Sequence, residues 1–324
     1  MKKKQIIGIV IAAAVFVFVG LSGIAAANSL RSNVSSIIGS SAVDTPMPVG
    51  KSIAVVNIAG TIDATKYNAL GAPTGTYNHD SVMKLIKDMT DSPNNTGLML
   101  KIDSGGGAVY ESDEVYRALM NYKETTGRPV YAYATHTMAS GAYYIACAAD
   151  RIFANRNSTV GSIGVYVQSV NYSGLYEKLG IHGEFIKSGA NKAMGNVFDP
   201  LTDEQRAIFQ SVVDECYNQF IDIVCLSRGY TREQALPICD GRIYTAAQGL
   251  EIGIIDDAES SYDDVLEDFK TLCGASEVYE RKSASNGLSS LLGSLVNSYT
   301  KTETERMLEL IENSESGVPM YYAG

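Results

Sequence analysis

The chain has 324 residues, enough for one sizeable globular core with segments to spare at either end. Its 36 acidic against 26 basic side chains leave a formal net charge of -10, and nowhere do lysine and arginine gather into the basic stripe that neutralises phosphates, which argues against nucleic acid as a partner. The five cysteines (Cys147, Cys216, Cys225, Cys239, Cys273) have neither CxxC spacing nor a histidine nearby, so they read as buried small hydrophobes rather than as a zinc site or a full disulfide framework.

Lys2, Lys3 and Lys4 open the chain, and residues 6–27 then run without a charge. At 1.5 Å per residue a helix of that length spans about 33 Å, against a hydrocarbon core of roughly 30 Å. The lysines on one flank predict a cytoplasmic N-terminus and an exported body. The run exceeds the roughly 7–15 apolar residues of a cleavable signal, so a retained single-pass anchor in the cell membrane is expected. The alternative is removal at Ala25-Ala26-Ala27. Residues 28–51, rich in Ser, Gly and Pro, read as a linker.

The body is expected over residues 52–275. An apolar strand at 52–58 ends near Gly60; helical spacing follows at 80–89, and a second buried strand at 97–102 runs into Ser104-Gly105-Gly106-Gly107. A helix is predicted from Glu111 to Tyr122, a third strand over 129–134 and, after a small-residue turn at Ser140, a helix over 141–149. Strand, turn and helix recurring in this way predict an α/β fold with a mostly parallel sheet, helices on its faces and active groups at the carboxyl ends of strands. A long amphipathic helix is predicted over 201–227, capped by Thr202 with Gln205 three residues on, its stripe made by Ile208, Val212, Phe220 and Val224. A short helix is read over 244–250. Residues 276–324 form a polar tail with one helix expected at 303–313.

A serine needs a base to take its proton, and the chain has only three histidines. His136 stands too close to Ser140 along the chain, and neither His79 nor His182 has a triad context. Lys192, 52 positions after Ser140 and surrounded by Gly189, Ala190, Ala193 and Met194, is the better candidate for a Ser-Lys dyad. A lysine acts as base only where burial or a neighbour favours its neutral form, so activity is expected to rise toward alkaline pH. The glycines of 104–107 let backbone amides approach an oxyanion; they lack P-loop spacing. Gly161-Ser162-Ile163-Gly164 offers a hydroxyl able to hold the lysine amine in line.

Taken in order, Leu100-Lys101-Ile102-Asp103-Ser104-Gly105-Gly106-Gly107, Glu111-Ser112-Asp113-Glu114, Met138-Ala139-Ser140-Gly141-Ala142-Tyr143-Tyr144, Gly161-Ser162-Ile163-Gly164, Lys187-Ser188-Gly189 with Lys192, and Asp240-Gly241-Arg242-Ile243-Tyr244-Thr245 resemble the signal peptide peptidase A family, membrane-anchored Ser-Lys proteases of the Clp-protease/crotonase fold superfamily. The likeness covers about residues 53–257. It implies a Clp-protease/crotonase-like fold with Ser140 as nucleophile, Lys192 rather than Lys187 as general base, Ser162 bonding the lysine, and the amides of Gly107 and Gly141 as oxyanion hole. It also implies a homo-oligomeric ring in which neighbouring protomers complete the groove, remnant signal peptides as substrates, a catalytic domain on the extracytoplasmic side, and no metal or organic cofactor. A C-terminal segment lying in the groove is a further family feature, and Pro319-Met320-Tyr321-Tyr322 resembles it.

Two departures stand out. Asp103 and Gly105 replace the Asn and Pro usual in the family, which frees the turn and adds a carboxylate that would favour the charged lysine if it faced Lys192. Asn191 and Ala193 flank Lys192 where an aromatic and an acidic residue are commoner. Three other readings compete with this one. A crotonase-type acyl-CoA enzyme would need carboxylates in place of Ser140 and Lys192. A penicillin-recognising enzyme would use Ser81-Val82-Met83-Lys84 or Ser298-Tyr299-Thr300-Lys301, but neither is accompanied by S-D-N or K-T-G. A non-catalytic or weakly active membrane scaffold of the same fold is the main alternative.

Overall fold

Apolar strands alternating with amphipathic helices can bury both faces of a sheet, and this chain does so. The computed structural model of the protein describes residues 46–67, 73–281 and 319–322. In chain order these form β1 (Ser52–Ala59), β2 (Lys66–Tyr67), β3 (Pro73–Thr74), α1 (His79–Asp91), β4 (Asn95–Ser104), β5 (Gly106–Ala108), α2 (Val109–Thr126), β6 (Val130–Ala139), α3 (Gly141–Ala146), β7 (Arg151–Ala154), β8 (Thr159–Gly161) and β9 (Tyr166–Val167). They continue with α4 (Ser173–Leu179), α5 (Asp203–Arg228), α6 (Arg232–Ala235), β10 (Ile243–Thr245), α7 (Ala246–Glu251), α8 (Tyr262–Leu272), β11 (Glu277–Glu280) and β12 (Pro319–Tyr322). Pro46–Lys66, Thr74–Arg281 and β12 belong to one compact unit; Tyr67 and Pro73 are the described members of another.

The main sheet has strand order β10-β8-β6-β4-β1-β11, with β7 also paired to β6. Its pairings are parallel except that of β8 with the edge strand β10. This mostly parallel α/β sheet fits the expected Clp-protease-like class. Successive strand residues point to opposite faces. Ala54, Val56, Ile58, Leu98, Leu100 and Ile102 join the larger core with α1, α2, α3 and the second half of α5, whereas Ile53, Val55, Met99 and Tyr133 pack on Val265 and Phe269 of α8.

Local sequence sets the helix ends. Asn78 accepts from the Ser81 amide to start α1, and Thr202 with Gln205 forms a capping box at α5, which ends at Gly229 in the left-handed region. Three expectations need correction. β6 runs through Thr137 to Ala139 instead of stopping at 134, because β8 takes over as its partner there. Residues 243–245 are the strand β10, and the helix begins only at Ala246 because Thr245 is its cap, boxed with Gln248. The stripe of α5 is buried only in its second half: Phe220, Ile221 and Val224 are in the core, while Val212 remains exposed.

Among the described residues no helix is long and apolar enough to cross a membrane. The expected anchor at 1–27, the linker up to residue 45 and the helix expected at 303–313 lie outside the described residues.

Candidate active site

Ser140 follows the last residue of β6 and caps α3, with φ 51° and ψ −120°. Only two non-glycine residues with positive φ occur among the described residues, Ser140 and Ser162, and both are expected site residues. Such backbone is costly for an L-residue and persists where its surroundings hold it, as at many functional turns. Here the Ser140 amide donates to the Gly161 carbonyl at 2.7 Å and the Tyr144 amide donates to the Ser140 carbonyl at 2.9 Å. The Ser140 side chain is buried, and its Oγ has no hydrogen-bond partner. A buried hydroxyl left unpaired costs roughly 1–3 kcal/mol. Its freedom leaves it available to a base and a substrate.

The glycine turn lies beside it, since β5 packs on α3. Ser104 shapes this turn: its buried hydroxyl donates to the Gly60 carbonyl at 2.6 Å and accepts from the Gly106 amide at 3.1 Å. Rather than a simple turn, residues 106–108 form a short strand bridged to Ile62. The Ile62 amide donates to Gly106 O at 2.9 Å and the Ala108 amide to Ile62 O at 2.7 Å. Strand alternation then aims the amide of Gly107 to the opposite side, where β12 lies antiparallel with Tyr321 in register. Gly141, the first residue of α3, has an amide with no intrahelical acceptor. The Gly141 amide is thus free of a helical partner next to Ser140, and the Gly107 amide faces the slot that β12 occupies.

Ser162 is buried one residue beyond the carbonyl that holds the Ser140 amide, and its own amide donates to Arg242 O at 2.8 Å. It lines a cleft of about 360 Å³ with Gly164, Val165, Tyr166, Tyr217 and Asp240. β9, at the rim of this cleft, pairs antiparallel with the other edge of β12. An extended backbone thus lies between β5 and β9.

Lys192 is not brought to Ser140 within the single chain. It is exposed, and Ser140 Oγ has no bond to it. From Gly164 to Pro200 no residue is buried. Internal contacts hold this arm locally: Tyr176 stacks on Phe198 at 4.6 Å, and Asn191 donates to Glu204 Oε1 at 2.9 Å, tying the neighbour of Lys192 to the first turn of α5. Lys187 stands over the Phe185 ring and not at the serine.

Within the chain Asp103 is held by the neighbouring strand. Its carboxylate engages His136 Nδ1 at 2.9 Å and the Thr137 amide at 3.3 Å, so its near partners lie on β6 rather than at Lys192. The Glu111-Ser112-Asp113-Glu114 segment, to which sequence reasoning gave no role, supplies Asp113, which accepts from Tyr144 Oη at 2.7 Å and from Gln219 Nε2 at 3.2 Å, joining α2, α3 and α5, the helix that Ser140 precedes among them. Asp113 and Tyr144 each lie in a motif that carries the family resemblance, which was the available signal; their pairing could not be read from it. Cys147 and Cys239 are buried, as expected, and burial pushes both thiols up to about 12; Cys216, Cys225 and Cys273 are only partly covered. Among the described residues no cluster of His, Cys, Asp or Glu could hold a metal ion.

This geometry agrees with what the chain is similar to. The profile of peptidase family S49 matches residues 123–276, which contain Ser140, Gly141, Ser162 and Lys192. An Enterococcus faecium protein named as a signal peptide peptidase, SppA, is 33% identical over 256 residues, covering 76% of this chain and 74% of that protein. The chloroplastic serine protease SPPA of Arabidopsis thaliana is 30% identical across 63% of this chain and 30% of its own length, and protease 4 of Haemophilus influenzae 26% identical across 65% and 33%. With a relative matched over most of both sequences, and with the profile running through the serine turn, the chain belongs to peptidase family S49, the signal peptide peptidase A family, and is a serine peptidase.

Proposed function

We propose that this peptidase is a membrane-anchored endopeptidase that degrades remnant signal peptides and other extended hydrophobic peptides through a Ser-Lys dyad, with its catalytic domain outside the cytoplasm. The observation that carries the reading is the buried, unbonded Ser140 hydroxyl on a positive-φ turn, next to a slot in which a strand pairs on both edges. A peptide held in that slot by its backbone would present its carbonyl to Ser140. Ser140 attacks, Lys192 takes the proton and later gives one to the leaving amine, the amides of Gly107 and Gly141 hold the oxyanion, and water hydrolyses the acyl-enzyme. Ser162 orients the lysine amine.

We further propose that Lys192 reaches Ser140 of a neighbouring protomer in a ring. The 164–200 arm supports this: none of its residues is fully buried within its own chain, and it exposes Leu175, Leu179, Ile181, Phe185 and Ile186, the last at 99%. Patches of this kind mark interaction surfaces, and enclosure between subunits supplies the desolvation that a lysine base requires. β12 in the slot favours the chain's own C-terminus as an occupant that substrate must displace.

The test is hydrolysis of an internally quenched hydrophobic peptide by wild type, Ser140→Ala, Lys192→Ala and the two variants co-expressed. Each variant alone is expected to lose activity by at least about 10³-fold. Mixed rings are expected to regain a measurable fraction through interfaces carrying both native residues. Equal cleavage by wild type and Ser140→Ala would leave the non-catalytic scaffold as the reading; silent mixed rings with active wild type would put the dyad within one chain.

A further inference from the structure

β4 and β6 pair in parallel through Ile102 opposite Ala134, and the next matched pair is Ser104 opposite Met138. Over this step β4 advances by two residues and β6 by four, so Thr135, His136 and Thr137 bulge across from the single residue Asp103. Up to Ala134 the partner of β6 on its far edge is β7, and from Thr137 it is β8. The bulge is therefore where β6 leaves one partner for the other, three residues before the nucleophile turn. Bulges beside active sites re-aim the residues that follow them.

Three bonds hold this bulge. Thr135 Oγ1 donates to Ile102 O at 3.1 Å, the Thr137 amide donates to Asp103 Oδ1 at 3.3 Å, and His136 Nδ1 engages Asp103 Oδ2 at 2.9 Å. Asp103 is itself fixed, since its carbonyl accepts from the Gly60 amide at 2.9 Å. The next residue, Ser104, braces the Gly106 amide from within. One strand end thus fastens the bulge leading to Ser140 with its carboxylate and the glycine turn with the following hydroxyl. An exposed Asp-His pair alone contributes little to stability; a carboxylate satisfying the backbone of a bulge specifies its shape.

We propose that Asp103 is a positioning residue of this peptidase: by clasping the Thr135–Thr137 bulge it sets where the Ser140 hydroxyl lies relative to the amide of Gly107. This rests on the reading of Ser140 as nucleophile. Asp103 touches neither substrate nor reacting atoms, and it acts through the path of β6. Asparagine keeps an acceptor for the Thr137 amide and offers a donor to His136, whereas alanine keeps neither.

The experiment compares kcat and KM for the quenched peptide in full-length wild type, Asp103→Ala, Asp103→Asn and Thr135→Val, with the rate of Ser140 sulfonylation by a small sulfonyl fluoride and the melting temperature. A displacement near 1 Å at the reacting atom costs about 10²-fold, so Asp103→Ala is expected to lower kcat and sulfonylation roughly 10- to 100-fold with KM within about twofold. Asp103→Asn is expected to stay within about threefold of wild type, and Thr135→Val, which keeps its shape, to lose about threefold in kcat. Wild-type kcat in Asp103→Ala, or an equal loss in Asp103→Asn, overturns the proposal while leaving the nucleophile in place. Should Asp103→Ala not fold, Thr135→Val decides, and an unchanged kcat there is the refuting result. If Ser140→Ala keeps wild-type activity, the reading beneath the proposal falls instead, and the two failures are told apart.

Discussion

Gly107→Ala tests the oxyanion turn at the point where it is most tightly built. A Cβ at Gly107 would stand 1.9 Å from Ile62 O, 2.6 Å from Ile62 C and 2.7 Å from Ile62 N, all backbone atoms that no rotamer change can move away. The nearest is about 1.5 Å short of the 3.4 Å at which ordinary contact begins, so β5 and the Ile62 segment must separate by that order. The need for glycine here comes from this approach; it is Gly106, at φ 101°, whose backbone requires glycine for its conformation. Separation strains both hydrogen bonds that bridge Ile62 to β5, each worth about 1 kcal/mol net, on top of about 1–3 kcal/mol for overpacking.

The expected loss is therefore roughly 3–5 kcal/mol, which for a domain of this size lowers the melting temperature by about 6–20 °C. The same shift moves the Gly107 amide away from the oxyanion position, and losing one such donor lowers kcat by about 10²–10³. The assay is kcat on the quenched peptide well below the lowered melting temperature, with Val49→Ala, outside the 164–200 arm and with its side chain almost fully exposed, as the control. The control should keep wild-type kcat. A Gly107→Ala enzyme within about twofold of wild-type kcat would refute both the steric argument and the assignment of this amide.

Two further perturbations probe the frame. Arg228 donates through Nη1 and Nη2 to Asp256, whose carboxylate also accepts from the Ile152 amide, so Arg228→Ala breaks a largely covered pair and should cost about 3 kcal/mol in thermal or denaturant unfolding. Burial opposes the Asp256 charge, but the Arg228 and Ile152 hydrogen bonds outweigh it and hold its carboxyl below the usual range; the pair's contribution is thus present at neutral pH and lost as acid protonates Asp256, and the gap between wild type and Arg228→Ala should narrow below about pH 4. In the network around Asp113, Tyr144→Phe and Asp113→Ala should each cost about 1–2 kcal/mol and couple by about 1 kcal/mol in a double-mutant cycle, with additivity as the refuting result.

Much of the fold was legible because its determinants are local. The strands at 52–58 and 97–102 and the helices at 80–89 and 201–227 announce themselves by apolar period and by caps such as Thr202 with Gln205, and the structure has β1, β4, α1 and α5 there. Ser140 was legible for a similar reason: small residues on both sides permit a buried sharp turn directly after a strand. What escaped depends on who pairs with whom. Nothing within 129–140 says that β6 keeps pairing through Ala139 after a two-residue excess, or that Asp103 lies opposite His136, because both follow from the register with β4. Nor could the exposure of Val212 be read from a stripe it shares with Phe220, since the period of a helix says which face is apolar but not what covers it.

That half-covered stripe bears on how the dyad is formed. Phe220, Ile221 and Val224 attach the second half of α5 to this chain's own core, under the helix that begins at Gly141. Its first turn instead holds Asn191 through Glu204, and so carries the arm on which Lys192 lies exposed. One rigid helix thus has one end in the core beneath Ser140 and the other in an uncovered region that carries Lys192. Under the proposed trans arrangement, assembly covers that region and desolvates the lysine in the same step, so an unassembled protomer holds a nucleophile without its base. On that proposal proteolysis is a property of the ring, and a protomer that has not assembled stays idle until its neighbours arrive.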